Sequence, residues 1–282
     1  MEYSPKKTKE LLEKHDFNFK KKFGQNFIVD ENIINAIVNK SNVDKETLVI
    51  EIGPGGGALT NKLAQAAKEV LCYEIDTKLK EILGNNLEGH KNVKIIFEDF
   101  LKRDVIDDIK SYEYEKLYVV ANLPYYITTP IIIKLIEDNI NPDKIVVMVQ
   151  KEVGNRLRAK PGTKDYNSLS IFINYFYDVK KIMDISKNVF IPKPNVDSIV
   201  VEFNKIEKRF VLKNKELFFK IIYDSFRQKR KTIKNNLREY DLETIEKVLL
   251  NNHFNLESRA EQIPIEVFVE IANNLVKWKQ IY

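Results

Sequence analysis

One cysteine, Cys72, and three scattered histidines, His15, His90 and His253, are the only thiol and imidazole groups in this 282-residue chain. A lone thiol forbids an internal disulfide. The spread of the histidines argues against a structural zinc site, and no metal is expected. A reducing, cytosolic setting follows, and the expected localisation is cytoplasmic. No run of about 18 apolar residues occurs, so no membrane span is expected. The opening "MEYSPKKTKELLEKHDFNFKKK" lacks an apolar core and is not a secretory signal. It carries acids and no arginine, unlike a mitochondrial transit peptide. There is no internal repeat and no low-complexity tract.

What is present is ordinary in bulk, with 44% hydrophobic and 31% charged residues. The length suits one large domain and a small one. The net charge of +5 is unevenly spread. Residues 205–238 hold twelve Lys/Arg against three Asp/Glu, a net +9, which leaves −4 for the rest. A basic segment on a mildly acidic body suggests a polyanionic partner. A solvated charged helix is the plainer alternative.

Strand-like and helix-like patterns alternate over the first two-thirds. The strands are "TLVIEI" (47–52), "EVLCYEID" (69–76), "NVKIIFED" (92–99), "KLYVVAN" (116–122) and "KIVVMVQ" (144–150), with a late one over 198–206. Between them, 58–67, 77–87, 130–138 and 151–159 read as helices. The alternation implies an α/β fold, a Rossmann-like, doubly wound parallel sheet with helices on both faces. After about residue 206 strand signals vanish. Residues 214–226, 227–240, 242–253 and 264–279 read as helices by apolar spacing. The expected domains are therefore 1–206, α/β, and 207–282, all-helical.

"EIGPGGGALT" (51–60) joins the first strand to the first helix. Gly53, Gly55 and Ala58 fit the dinucleotide-binding spacing, where glycines let backbone approach a ligand. That motif alone suits a nicotinamide enzyme as well as any other adenosine binder. Glu74 ends the second strand 21 residues after Gly53, where a carboxylate accepts from both ribose hydroxyls. Asp99 ends the third strand, placed to accept from an adenine amino group. Pro54 removes an N–H that a pyrophosphate would use.

The fourth strand runs into "NLPY", Asn122 to Tyr125. A doubly wound sheet binds ligands beyond the carboxyl ends of its strands, so this tetrapeptide faces the crevice. Its groups suit methylation of an exocyclic base amine. That nitrogen's lone pair is delocalised into the ring, and two acceptors on its hydrogens would withdraw it from conjugation. The Asn122 side-chain oxygen and the Leu123 carbonyl can be those acceptors. Pro124 fixes the turn, and Tyr125 can stack on an extruded base. A sulfonium methyl donor is already activated, so alignment does most of the work.

These stretches resemble the rRNA adenine dimethyltransferase family over nearly the whole chain. "KKKFGQNFIVD" (20–30), "EIGPGGGALT", "ANLPYYITTPII" and "FIPKPNVDSIVV" (190–201) look like the family's successive motifs. "SFRQKRKTIKNNL" (225–237) and "SRAEQIPIEVF" (258–268) resemble the C-terminal domain of its small-subunit branch. The resemblance implies S-adenosyl-L-methionine held at Asn26, Ile28, Gly53, Glu74, Asp99 and Asn122. It implies transfer of two methyl groups to N6 of each of two adjacent adenosines, in a hairpin near the 3′ end of small-subunit rRNA. Phe190 matches a position thought to sandwich the target base. The expected partner is this rRNA, within the small subunit or its precursor, and a monomer is expected.

For the basic segment, 100° per residue places Arg227, Arg230, Lys231, Lys234 and Arg238 in one helical stripe as candidate rRNA contacts. Phe226, Ile233 and Leu237 fall on a neighbouring stripe that anchors it. Three rivals remain: a large-subunit rRNA adenine methylase conferring macrolide resistance, a non-enzymatic ribosome-assembly factor, and a nicotinamide-dependent dehydrogenase.

Overall fold

The computed structural model describes residues 26–207 and 210–275. It falls into two compact units, Met1–Gly154 with Lys180–Lys205, and Asn155–Val179 with Ile206–Tyr282. The boundary expected at 206 is therefore incomplete: residues 155–179 group with the second unit. The reason is packing, since Ala159, Tyr166 and Ile171 are buried in one apolar cluster with Leu217, Phe218 and Phe268.

In chain order the strands are β1 (Phe27–Ile28), β2 (Thr47–Ile52), β3 (Glu69–Tyr73), β4 (Val93–Ile96), β5 (Lys116–Asn122), β6 (Lys144–Gln150), β7 (Tyr177–Ile185), β8 (Phe190–Ile191) and β9 (Ser198–Lys205). Seven form one sheet in the order β4-β3-β2-β5-β6-β9-β7, and β1 and β8 make a two-stranded ribbon. The pairs β2–β3, β2–β5, β3–β4 and β5–β6 are parallel, as the alternation predicts. β6 pairs β9 antiparallel, with Gln150 opposite Ser198, so the sheet is mixed rather than wholly parallel.

β2 is buried along its whole length, as a central strand covered on both faces must be. On one face Val49, Val70, Cys72, Val120, Val146 and Met148 pack with Ile34 and Ile37 of the helix Glu31–Ser41 and Leu59 and Leu63 of the helix Ala58–Ala66. Asp30 starts the former helix by accepting from the Asn32 N–H at 2.9 Å.

The strand order has one switch point. Chain connections run outward from β2 to β3 and β4 on one side, and to β5 and β6 on the other. A crevice opens where the loops after β2 and β5 diverge. Both segments singled out from the sequence, 53–57 and 122–125, leave strands there.

Among the described residues of the second unit, the helices are Ser168–Phe176, Lys215–Ser225, Ile233–Asn236, Leu242–Asn251 and Ile265–Leu275. The helix expected over 227–240 is not formed. Residues 226–231 make turns, and Thr232 is extended (φ −76°, ψ 166°). The Ile233 N–H donates to the Ser258 carbonyl and the Lys234 N–H to the Leu256 carbonyl, at 2.9 and 3.0 Å, in place of helical bonds. The Asn236 amide donates to the Ser225 and Gln228 carbonyls and closes the turn. A helix would also stack Arg227 against Arg230 and Lys231 at one-turn spacing, an unfavourable arrangement of like charges.

Candidate functional site

A pocket at the switch point is lined by Asn26, Ile28, Gly53, Glu74, Asp99 and Asn122, and also by Leu123 and Tyr125. Eight of the sequence-predicted site residues thus converge on one crevice. Residues 20–25 of the N-terminal motif lie outside the described residues.

The floor is the glycine loop. Gly53 and Gly55 have φ of +73° and +58°, a left-handed backbone that disfavours side chains. At Gly55 a Cβ would also come within 2.5 Å of the Phe27 ring, so a side chain is excluded twice over. The Asn86 amide donates to the Gly56 carbonyl at 2.8 Å and ties the loop to the helix Lys80–Asn86.

Glu74 is buried. One carboxylate oxygen accepts from the Gly55 N–H at 3.2 Å and the other from the Asp76 N–H at 2.8 Å. Burial raises its pKa, and these two N–H donors oppose the rise. A carboxylate has about four acceptor sites, so capacity remains for a ligand. Asp99 uses one oxygen on the Leu101 N–H at 3.0 Å. Glu51, on the strand leading into the loop, is 2% exposed, and burial pushes its pKa up to about 8. The Cys72 thiol donates to Glu51 Oε2 at 3.7 Å.

The opposite wall is the loop after β5. The Asn122 side-chain amide donates to the Asn26 carbonyl at 2.9 Å. Only the NH₂ of a carboxamide can make that bond, so its orientation is set and Oδ1 is turned the other way. The Leu123 N–H donates to the Met148 carbonyl at 3.1 Å, and its side chain is buried. The Pro124 carbonyl accepts from the Thr128 hydroxyl and the Ile127 N–H, which closes the turn. Tyr125 is half-buried, with its hydroxyl 2.5 Å from Ser198 Oγ.

Phe190 is a correction. Pairing of β1 with β8 sets Phe190 opposite Ile28 and turns its ring into the cluster with Ile34 and Ile37. It is 2% exposed and does not line the pocket, so a base-sandwiching role is not supported here. Sequence reading missed Glu51, Phe27, Ile75 and Tyr126, which do line it. Ile75 and Tyr126 are 40% and 51% exposed. An apolar residue directly after a strand-ending acid was the available signal for Ile75.

Among the described residues, the lining carries four acids, Glu51, Glu74, Glu98 and Asp99, and no Lys, Arg or His. Even with Glu51 holding its proton, the remaining acids make such a pocket repel a pyrophosphate and attract a cation. Carboxylates set to accept hydroxyl and amine hydrogens, beside aliphatic Ile28 and Ile52, fit an adenosine ligand bearing a sulfonium and an ammonium. They do not fit a dinucleotide. Among the described residues, no group of three or more His, Cys, Asp or Glu gathers to hold a metal. No helix among them is long and apolar enough to cross a membrane.

In the second unit Arg227, Arg230, Lys231, Lys234 and Arg238 are all exposed, on turns and one short helix rather than on one helical stripe. Ile233 and Leu237 are fully buried beneath them, and Phe226 packs edge-on to Tyr166 at 6.1 Å. Along 226–238 there is no acidic residue.

Comparison with known proteins gives a consistent result. The family model described as ribosomal RNA adenine dimethylase matches residues 16–277. The chain is 45% identical to a ribosomal RNA small subunit methyltransferase A of Macrococcus caseolyticus, covering 100% of this chain and 99% of that one. It is 44% identical to the protein of the same description from Bacillus mycoides, over 98% of each. Among solved structures it resembles a dimethyladenosine transferase from Plasmodium falciparum, with a TM-score of 0.73 at 24% identity over 90% of this chain and 98% of that one. It resembles the 23S rRNA methyltransferase ErmE with a TM-score of 0.71 at 24% identity, over 88% and 99%. At that identity these two structures speak for the fold alone.

Proposed function

The chain belongs to the ribosomal RNA adenine dimethylase family, and from that premise we propose how its pocket performs the reaction. The protein is an S-adenosyl-L-methionine-dependent rRNA (adenine-N6,N6)-dimethyltransferase. Its substrate is small-subunit rRNA, where two adjacent adenosines near the 3′ end are each dimethylated. The observation that carries the cofactor is the lining of four acids around a glycine loop, with no base among the described residues. Bound there, the cofactor supplies an electrophilic methyl group on a sulfonium.

The remaining chemistry falls to the chain. Glu74 accepts from the ribose hydroxyls with its unused lone pairs. Asp99 accepts from the adenine amine, and the exposed Ile75 covers the adenine face. Asn122 Oδ1, aimed by the tether to Asn26, accepts one hydrogen of the target N6 amine. The Leu123 carbonyl accepts the other. Together they draw the nitrogen lone pair out of conjugation and point it at the methyl group. Tyr125 stacks on the extruded base. Transfer would break the C–S bond and leave a neutral thioether and a cationic, acidic nitrogen, whose proton would pass to water without a buried base.

The exposed cations between 227 and 238 face the phosphate backbone of the subunit, with the protein acting as a monomer on the assembled or precursor particle. Phosphate contacts hold the RNA without reading its sequence. The rival large-subunit reading is disfavoured by the full-length similarity to small-subunit enzymes. Primer extension on small-subunit rRNA from a strain lacking the protein tests the assignment. Stops at the paired dimethyladenosines disappear if it is right and persist if it is wrong.

A further inference from the structure

Ser198 is fully buried, yet its hydroxyl lies 2.5 Å from the Tyr125 hydroxyl across a gap of 73 residues in sequence. It opens β9, directly after the largely exposed 192–197 segment. We propose that Ser198 is a positioning residue for the reaction: its hydroxyl pins the tip of Tyr125 and so fixes the direction of the ring's long axis, and with it where the target adenine stacks. This rests on the reading of Tyr125 given above.

Three features make Ser198 a rigid mount. It sits opposite Gln150 in the antiparallel β6–β9 pair, so its backbone is held by the sheet. The preceding residue, Asp197, accepts from the Lys151 N–H at 3.0 Å and, through Oδ1, from the Lys187 N–H at 3.0 Å. The following residue, Ile199, is pressed by Gly154 so closely that a Cβ there would lie 2.3 Å from its Cγ2. Tyr125 by contrast sits on a four-residue turn at the pocket wall, half-buried, with its hydroxyl on Ser198. The hydroxyl lies on the axis about which the ring turns, so fixing this far end sets χ1 and holds the ring's long axis in place. The loop is thus held at two points: Asn122 by the Asn26 carbonyl and Tyr125 by Ser198. The acceptor for the amine and the platform for the base are aimed by separate parts of the chain. Misplacement of such groups by about 1 Å costs on the order of a hundredfold in rate.

The test is a double-variant cycle of Tyr125→Phe and Ser198→Ala, assayed on hypomethylated small subunits with active sites counted by cofactor titration. Tyr125→Phe keeps the ring and deletes only the oxygen. Each single variant is expected to lower kcat roughly tenfold or more, with KM for the subunit and affinity for the cofactor unchanged. The double variant is expected to be no slower than either single one. Losses that multiply in the double variant, or that appear in KM alone, overturn the proposal. Should Ser198→Ala fail to fold, Tyr125→Phe decides by itself: a wild-type kcat overturns the proposal. A further variant, Tyr125→Ala, separates the two readings. If it slows the reaction while Tyr125→Phe does not, stacking stands and positioning falls. If neither slows it, the stacking platform itself is wrong.

Discussion

Asn122 hands its side-chain N–H to the main-chain carbonyl of Asn26 at 2.9 Å, joining residues 96 apart in sequence. The bond joins the end of β5 to the residue immediately before β1. An unanchored carboxamide presents its oxygen or its nitrogen to a substrate with little preference. Here the nitrogen is occupied, and the oxygen is left as an acceptor.

Asn122→Ala is therefore expected to cut single-turnover methylation about a hundredfold or more while subunit binding stays near normal. Cofactor affinity is measured in parallel because Asn122 also lines that pocket. Near-normal single-turnover rates would remove Asn122 from the chemistry.

Glu74→Ala is expected to weaken S-adenosyl-L-methionine binding by about 1.5–3 kcal/mol, read by titration calorimetry. The melting temperature falls modestly as well, because the Gly55 and Asp76 N–H groups lose their acceptor. Unchanged affinity would mean that the ribose sits elsewhere.

Glu51 gives the cofactor-free protein a pH dependence. Its folded pKa is about 8 against 4.5 for the free group, raised by burial. Between those values the folded chain holds a proton that the unfolded chain has released. Stability from this group is thus full below about pH 4.5 and declines as pH rises toward 8, by up to about 1.4 kcal/mol per unit. Glu51→Gln should match wild type in thermal melts near pH 5 and exceed it near pH 8. Equal melting temperatures at both would show that Glu51 ionises freely.

Changing Arg230, Lys231 and Lys234 together to Gln should weaken subunit binding and flatten its salt dependence. Each lost phosphate contact lowers the slope of log K against log salt by roughly 0.7–0.9. An unchanged slope with normal methylation would place the RNA elsewhere.

Much of the first unit was legible because its central strands are buried on both faces and read as apolar runs, "TLVIEI" above all. The crevice followed from where two of those strands end. β7 was not legible, since "YDVKKIMDI" is an edge strand with Lys180 and Lys181 exposed and no clean alternation. The helix Ser168–Phe176 hides in "SLSIFINYF", rich in residues that favour strands. It forms because Asn167 caps it in a reciprocal box with Ser170. Residues 227–240 misled in the other direction. Their apolar spacing suits a helix, but carbonyls of Leu256 and Ser258, remote in sequence, take the hydrogen bonds instead. Phe190 looked like a site residue from its motif alone, and only the register of β1 against β8 shows its ring turned into the core.

The central claim is a four-methyl product on small-subunit rRNA, and mass spectrometry of its 3′-terminal fragment tests it most directly. Hypomethylated small subunits incubated with the purified protein and S-adenosyl-L-methionine should gain two methyl groups on each of two adjacent adenosines, and Asn122→Ala should leave them largely unmodified in the time the wild type takes to finish. Methyl groups appearing on large-subunit rRNA instead, or full dimethylation by Asn122→Ala, would contradict the account.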